Sequence, residues 1–212
     1  HGNAMGGAIV DSGTFDWAQN DKYPSLAQPE EAYHGLNFYE SFGDLAYTTY
    51  GHAVGLRDLG PTMAPMNAYL TIMGIETLAL RMEKHVANAE VVANYLHNHA
   101  KVSWVSYAGL EESNYFHLAK KYLPKGAGSV FTFGIKGGYD AGVKFVEKCQ
   151  LLSHLANIGD TRSLVLHPAS TTHRQLTETQ RISAGAGDDV IRLSIGLETV
   201  EDIIADLEQA LR

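Results

Sequence analysis

The chain is too poor in thiols for disulfide or zinc-thiolate chemistry. Its 212 residues hold one cysteine, Cys149, which can neither close a bridge within the chain nor supply paired-thiol metal spacing. A reducing, cytoplasmic setting is the simplest expectation. Positive charge is also scarce. Sixteen Lys and Arg face 24 Asp and Glu, for a formal net charge of -8, and no dense basic stripe of the kind that neutralises a phosphate backbone is present, so nucleic acid is not an expected partner. No apolar run approaches the ~20 residues of a membrane helix. No basic segment followed by an apolar core opens the chain, so neither membrane insertion nor export is expected. HExxH, GxGxxG and Walker spacings are missing, which removes the common zinc-hydrolase and nucleotide-phosphate sites. The first residue is His1 rather than methionine, and the expectation is that part of the protein lies upstream.

What remains is ample for a core: 45% of the residues are hydrophobic and 19% charged. Ala8-Ile9-Val10, flanked by glycine, reads as a short covered strand. Phe15 to about Phe42, rich in Tyr, Pro, Asn and Gly, reads as an ordered loop region with one or two helical turns. From Pro65 to about Ala100 the pattern is helical, with Met66, Leu70, Met73, Ile75, Leu78, Leu80 and Met82 as the apolar stripe and Glu76, Arg81, Glu83 and Lys84 as the wet face. Beyond it strands and helices alternate. Strands are expected at Val102–Tyr107, Val130–Ile135, Ser163–Leu166 and Val190–Ile195, and helices at Ser113–Tyr122, Tyr139–Cys149 and Val200–Leu211. In the last helix Ile203, Ile204, Leu207 and Leu211 face inward, with Glu201, Asp202, Asp206 and Glu208 outside. Helices that must cover one sheet face imply a compact α/β module starting near Lys101.

Three features could carry chemistry. Ten histidines invite a metal, but His85, His97 and His99 lack the four-residue pair spacing and read as scattered surface residues. The run Leu166-His167-Pro168-Ala169-Ser170-Thr171-Thr172-His173 follows an apolar strand, where α/β proteins place ligand loops; equally, its hydroxyls could cap its own backbone. Arg192 interrupts the apolar run Val190–Ile195. A buried guanidinium needs an anion, and its planar fork fits a carboxylate, whether a protein side chain or a ligand.

Several stretches, in order, resemble the Cys/Met-metabolism pyridoxal-phosphate (PLP) enzymes of fold type I. They are His1–Gly7, Leu59-Gly60-Pro61-Thr62-Met63-Ala64-Pro65-Met66-Asn67-Ala68, Gly74-Ile75-Glu76-Thr77-Leu78-Ala79-Leu80-Arg81-Met82-Glu83-Lys84-His85, His167–His173, and Arg192-Leu193-Ser194-Ile195-Gly196-Leu197-Glu198. The resemblance implies a remnant of the PLP-binding large domain over residues 1–60, a connecting helix over 61–100 and a small substrate-binding α/β domain over 101–212. It also implies that Arg192 grips the α-carboxylate of an amino-acid substrate, with a second contact from Asn157-Ile158-Gly159-Asp160, and that Asn157, Arg162 and Ser163 are substrate-binding residues with it.

Asn157–Leu164 and Pro168–His173 look most like the O-acetylhomoserine sulfhydrylase branch. Cystathionine-handling members usually carry Glu at the place of Arg162, and lyases often have Met at that of Thr171. Methionine gamma-lyase and cystathionine gamma-synthase activities are the alternatives within the family; an inert fragment serving folding or assembly is the alternative outside it. The family's Schiff-base lysine belongs just upstream of His1, so the resemblance implies no catalytic residue in this chain, PLP held mainly by residues outside it, and an amino-terminal half and a homotetramer as partners. Lys22 and Lys84 match no motif position.

Overall fold

The computed structural model describes residues 2–212; His1, part of the first motif, lies outside the described residues. Contacts divide the chain into two compact units, one of Ala4–Ile72 and one of Met73–Arg212 joined by residues 2–3.

The Ala4–Ile72 unit is built from short turns: α1 (Pro24–Ala27), a 3-10 turn at Glu31–Tyr33, α2 (Phe38–Phe42), α3 (Ala46–Tyr50) and a π-helical segment at Gly51–Asp58. Aromatic side chains hold these turns together. Phe38 is buried and meets Tyr33 and Tyr50 edge-on, while Trp17 stacks on Tyr47 with ring centroids 5.3 Å apart. The strand expected at Ala8–Val10 does not form. A strand needs a neighbour to receive its backbone bonds, none of the described residues pairs with it, and Ile9 and Val10 are 75% and 94% exposed.

The long helix expected from Pro65 is two helices, α4 (Pro65–Glu76) and α5 (Leu78–His97), broken at Thr77, whose φ of -108° and ψ of 8° leave the helical region. The stripe from Met66 to Leu80 does not face a core: α4 buries no residue, and Met66, Ile75 and Leu80 are each more than 60% exposed. Helical spacing instead buries His85, Asn88, Ala89, Val92, Ala93 and Leu96 on α5.

The second unit carries a five-stranded sheet of β1 (Val102–Ser106), β2 (Val130–Ile135), β3 (Ser153–His154), β4 (Leu164–Leu166) and β5 (Val190–Ser194), in the order β1-β2-β5-β4-β3. All neighbours are antiparallel except β3 and β4. Its helices are α6 (Phe116–Tyr122), α7 (Gly138–Lys148), α8 (Glu178–Ser183) and α9 (Val200–Leu211). One sheet face packs Phe131, Phe133, Val165, Ile191 and Leu193 against Ala89 and Val92 of α5, Phe145 and Val146 of α7 and Ile203 and Leu207 of α9. Phe133 meets Phe145 edge-on at 5.6 Å. Each such fully buried side chain contributes roughly 1.5–3 kcal/mol of transfer free energy.

Asp206 departs from the amphipathic reading of α9. It is buried, and its carboxylate accepts the backbone N–H groups of Gln150, Leu151 and Leu152 at 2.8–3.0 Å. Burial pushes this carboxyl up, but the three N–H donors outweigh burial and hold it below the usual carboxylate range. A group held low in the folded state stabilises above the unfolded pKa and loses that contribution as pH falls through the folded value. Asp206→Asn removes charge and brings an amide NH2 toward donors, so about 2–4 kcal/mol is lost at neutral pH. Urea melts of the two proteins should converge as the pH falls below the ordinary aspartate value of about 3.9.

Candidate functional site

Because Ile191 and Leu193 point into the helical core, alternation along the strand sends Arg192 and Ser194 to the opposite face of the sheet. Arg192 lies in the middle of the sheet, paired to Thr132 on β2 and Leu166 on β4. It is partly buried, and its Nη2 donates to the Asn157 carbonyl at 3.4 Å. Among the described residues no Asp or Glu forms an ion pair with it. The protein-carboxylate partner that a guanidinium in an apolar strand could have found is therefore not there, and most of its fork has no protein acceptor.

Arg162 stands differently. Its Nε and Nη2 donate to Asp160 at 3.2 and 3.3 Å, while its backbone N–H meets the same carboxylate at 3.1 Å. These bonds from Arg162 hold the Asp160 carboxyl below the usual range. The fork of Arg162 is thus already satisfied. Ser163 is fully buried: its N–H donates to Glu198 Oε1 at 2.6 Å, its hydroxyl donates to Glu198 Oε2 at 2.9 Å, and its Oγ accepts the Gly196 N–H at 2.8 Å. All the hydrogen-bonding capacity that faces Glu198 and Gly196 is internal. Asn157 is half-buried, with its Oδ1 turned onto the N–H of Ile158. A Cβ added at Gly2 would lie 3.1 Å from Asn157 Nδ2, so residues 2–3 abut the same loop.

Residues with no assigned role in the sequence frame this arrangement. From α5, His85 Nδ1 lies 2.6 Å from the Ile195 carbonyl, so it is the protonated ring nitrogen, and Asn88 Nδ2 donates to the carbonyls of Gly196 and Glu198 at 3.0 and 2.8 Å. His85 is therefore a buried anchor, not a surface residue; its ring must remain desolvated to reach the strand. The available signal was positional, since His85 and Asn88 fall on the helical face of Ala89, Val92 and Leu96. The loop from His167 to His173 caps itself. Thr171 Oγ1 and Ser170 Oγ donate to the His167 carbonyl at 2.7 and 3.3 Å, and the buried His167 ring bonds Ser170 Oγ and the Asp188 carbonyl.

Other chemistries lack parts. No group of three or more His, Cys, Asp or Glu among the described residues could hold a metal ion. Burial pushes the Cys149 thiol up to about 12, leaving no thiolate nucleophile. All nine lysines are exposed, whereas an amine that forms a Schiff base is activated by desolvation or a neighbouring cation. The residues present therefore do not fit the covalent anchoring of PLP. Cavities of 660 Å³, lined in part by Tyr47, His52 and Leu56, and of 410 Å³, lined in part by Phe116, Lys120 and Lys125, do not include Arg192. Among the described residues no helix is long and apolar enough to cross a membrane.

Arg192 thus stands on the sheet face away from the helical core, without an ion-pair partner among the described residues. The chain belongs to the Cys/Met metabolism PLP-dependent enzyme family, whose model matches residues 1–212. It is 51% identical over 212 residues to a homocysteine synthase of Schizosaccharomyces pombe, covering all of this chain and 49% of that protein. It is 46% identical to an O-acetyl-L-homoserine sulfhydrylase of Leptospira meyeri, covering all of this chain and 50% of the relative. The crystal structure of an O-acetylhomoserine (thiol)-lyase of Campylobacter jejuni, which holds a pyridoxyl-lysine monophosphate, superposes with a TM-score of 0.83 at 43% identity, over 91% of this chain and 46% of that one. The chain thus spans about half the length of the curated relatives it matches.

Proposed function

We propose that this chain is the substrate-carboxylate-binding half of a PLP-dependent O-acetylhomoserine sulfhydrylase, which replaces the acetate of O-acetylhomoserine with sulfide to give homocysteine. The observation that carries the reading is Arg192, a guanidinium in mid-sheet with no ion pair to a protein carboxylate among the described residues. Arg192 grips the substrate's α-carboxylate and fixes the direction of its Cα bonds; Asn157, whose carbonyl already receives Arg192, forms the adjoining wall. Asp160 holds Arg162 at the loop's far side, so Arg162 shapes the site through the loop. Pyridoxal phosphate, when bound, supplies the electron sink for chemistry at the substrate carbons.

The anchoring lysine belongs to the part of the protein upstream of His1. Gly2 abuts Asn157, so a lysine a few residues earlier, at about 3.5 Å of reach per residue, arrives at the Arg192 face. On this reading residues 1–60 complete the cofactor domain, 61–100 connect, and 101–212 close on the substrate. The exposed apolar residues of α4 are covered by the rest of a homotetrameric protein. Supplying the full-length protein with O-acetylhomoserine and sulfide should yield homocysteine. Product from methionine or from cysteine as nucleophile, with none from sulfide, would move the protein to the lyase or cystathionine-forming branch.

A further inference from the structure

The loop that walls the Arg192 site has few bonds of its own. Ile158 lies exposed and Asn157 half-buried, and no regular element crosses residues 155–163. What holds it to the sheet is a short zipper with the segment that follows β5. The Leu197 N–H donates to the Thr161 carbonyl at 2.8 Å, the Gly196 N–H donates to Ser163 Oγ at 2.8 Å, and Glu198 takes both the N–H and the hydroxyl of Ser163. Glu198 is itself fixed from behind, because its backbone carbonyl accepts the Asn88 Nδ2–H of α5 at 2.8 Å. One carboxylate therefore clamps the loop at the residue where it enters β4, six positions from the Asn157 carbonyl that Arg192 touches.

We propose that Glu198 is a positioning residue for substrate binding: its two-point hold on Ser163 keeps the Asn157–Arg162 loop in register with β5, and so sets the Asn157 carbonyl beside the Arg192 guanidinium. Glu198 does not touch the substrate. It acts through the loop, and the inference rests on Arg192 being the carboxylate site. A carboxylate is not required for this role. A glutamine side chain can accept the Ser163 N–H through its oxygen and donate to Ser163 Oγ through its nitrogen, which preserves both points of the hold.

The test uses the full-length protein loaded with PLP. Glu198→Ala should raise both KM for the amino-acid substrate and the spectrally titrated dissociation constant of an unreactive amino acid about tenfold, with kcat changed less than about threefold, as expected for losing one charge-assisted bond pair. Amide hydrogen exchange at Thr161–Leu164 should speed up in the same variant. Glu198→Gln should restore all three readings to near those of the parent. A folded Glu198→Ala protein with an unchanged dissociation constant overturns the proposal, as does a glutamine variant as impaired as alanine. Should Glu198→Ala fail to fold, Ser163→Ala, which deletes only the hydroxyl point, should weaken binding about threefold, and unchanged binding there also overturns it. Arg192→Lys separates the two readings. Unimpaired binding in that variant removes the site itself, whereas impaired Arg192→Lys with unaffected Glu198→Ala removes only the role of Glu198.

Discussion

Arg192→Lys in the full-length protein should raise KM for O-acetylhomoserine roughly 10- to 100-fold, with the melting temperature nearly unchanged, because a charge-assisted fork worth ~1.5–3 kcal/mol is lost without loss of charge. The guanidinium makes one bond at 3.4 Å to a carbonyl and no ion pair among the described residues, so folding owes it little. What a lysine cannot reproduce is the planar pair of N–H groups that addresses both oxygens of a carboxylate at once. A rise in KM at unchanged stability identifies a binding residue; a fall in melting temperature at unchanged KM identifies a packing residue and removes Arg192 from the site. Arg162→Lys is the internal control. Its fork is occupied by Asp160, and its side chain is 60% exposed, so its replacement should shift KM much less.

The contrast between these two arginines marks where sequence reasoning stops. Strand and helix periodicity placed β2 and α9 at their observed bounds, because both elements pack against a core within this chain and their apolar faces are satisfied there. The same reasoning failed for Ala8–Val10 and for the stripe on α4, since periodicity reports which residues avoid water and is silent on whether their partners are present. Buried polar residues were the other blind spot. His85, Asn88 and Asp206 are polar residue types that ordinarily face water, yet each is buried and bonded to backbone groups of a distant segment. A long-range carbonyl or N–H leaves no mark in the sequence of the residue that meets it. The resemblance carried Arg192, Asn157, Arg162 and Ser163 as one set; the structure separates them into a guanidinium without an ion-pair partner among the described residues, a half-buried loop residue, a satisfied ion pair and a buried clamp point.

The clamp also has a steric requirement, which makes Gly196→Ala the substitution with the largest expected effect on stability. A Cβ at residue 196 would lie 2.5 Å from the carbonyl carbon of Arg162, from the Ser163 nitrogen and from Glu198 Oε2. Two of these are backbone atoms tied down by the Leu197–Thr161 and Ser163–Glu198 bonds, so no side chain can swing aside to make room. Relief requires the loop to lift from the sheet, which breaks the bonds Ser163 makes and leaves buried polar groups unpaired. Overpacking together with those lost bonds should cost about 3 kcal/mol or more, seen as a lower urea midpoint. Gly187→Ala supplies the comparison, because its Cβ would meet nothing closer than Asp189 Oδ1 at 3.4 Å, an ordinary contact at a residue whose φ is not positive. Its stability should change by less than about 1 kcal/mol. Equal midpoints for the two variants would mean that the loop yields freely, and a loop that yields freely could not hold Asn157 against Arg192.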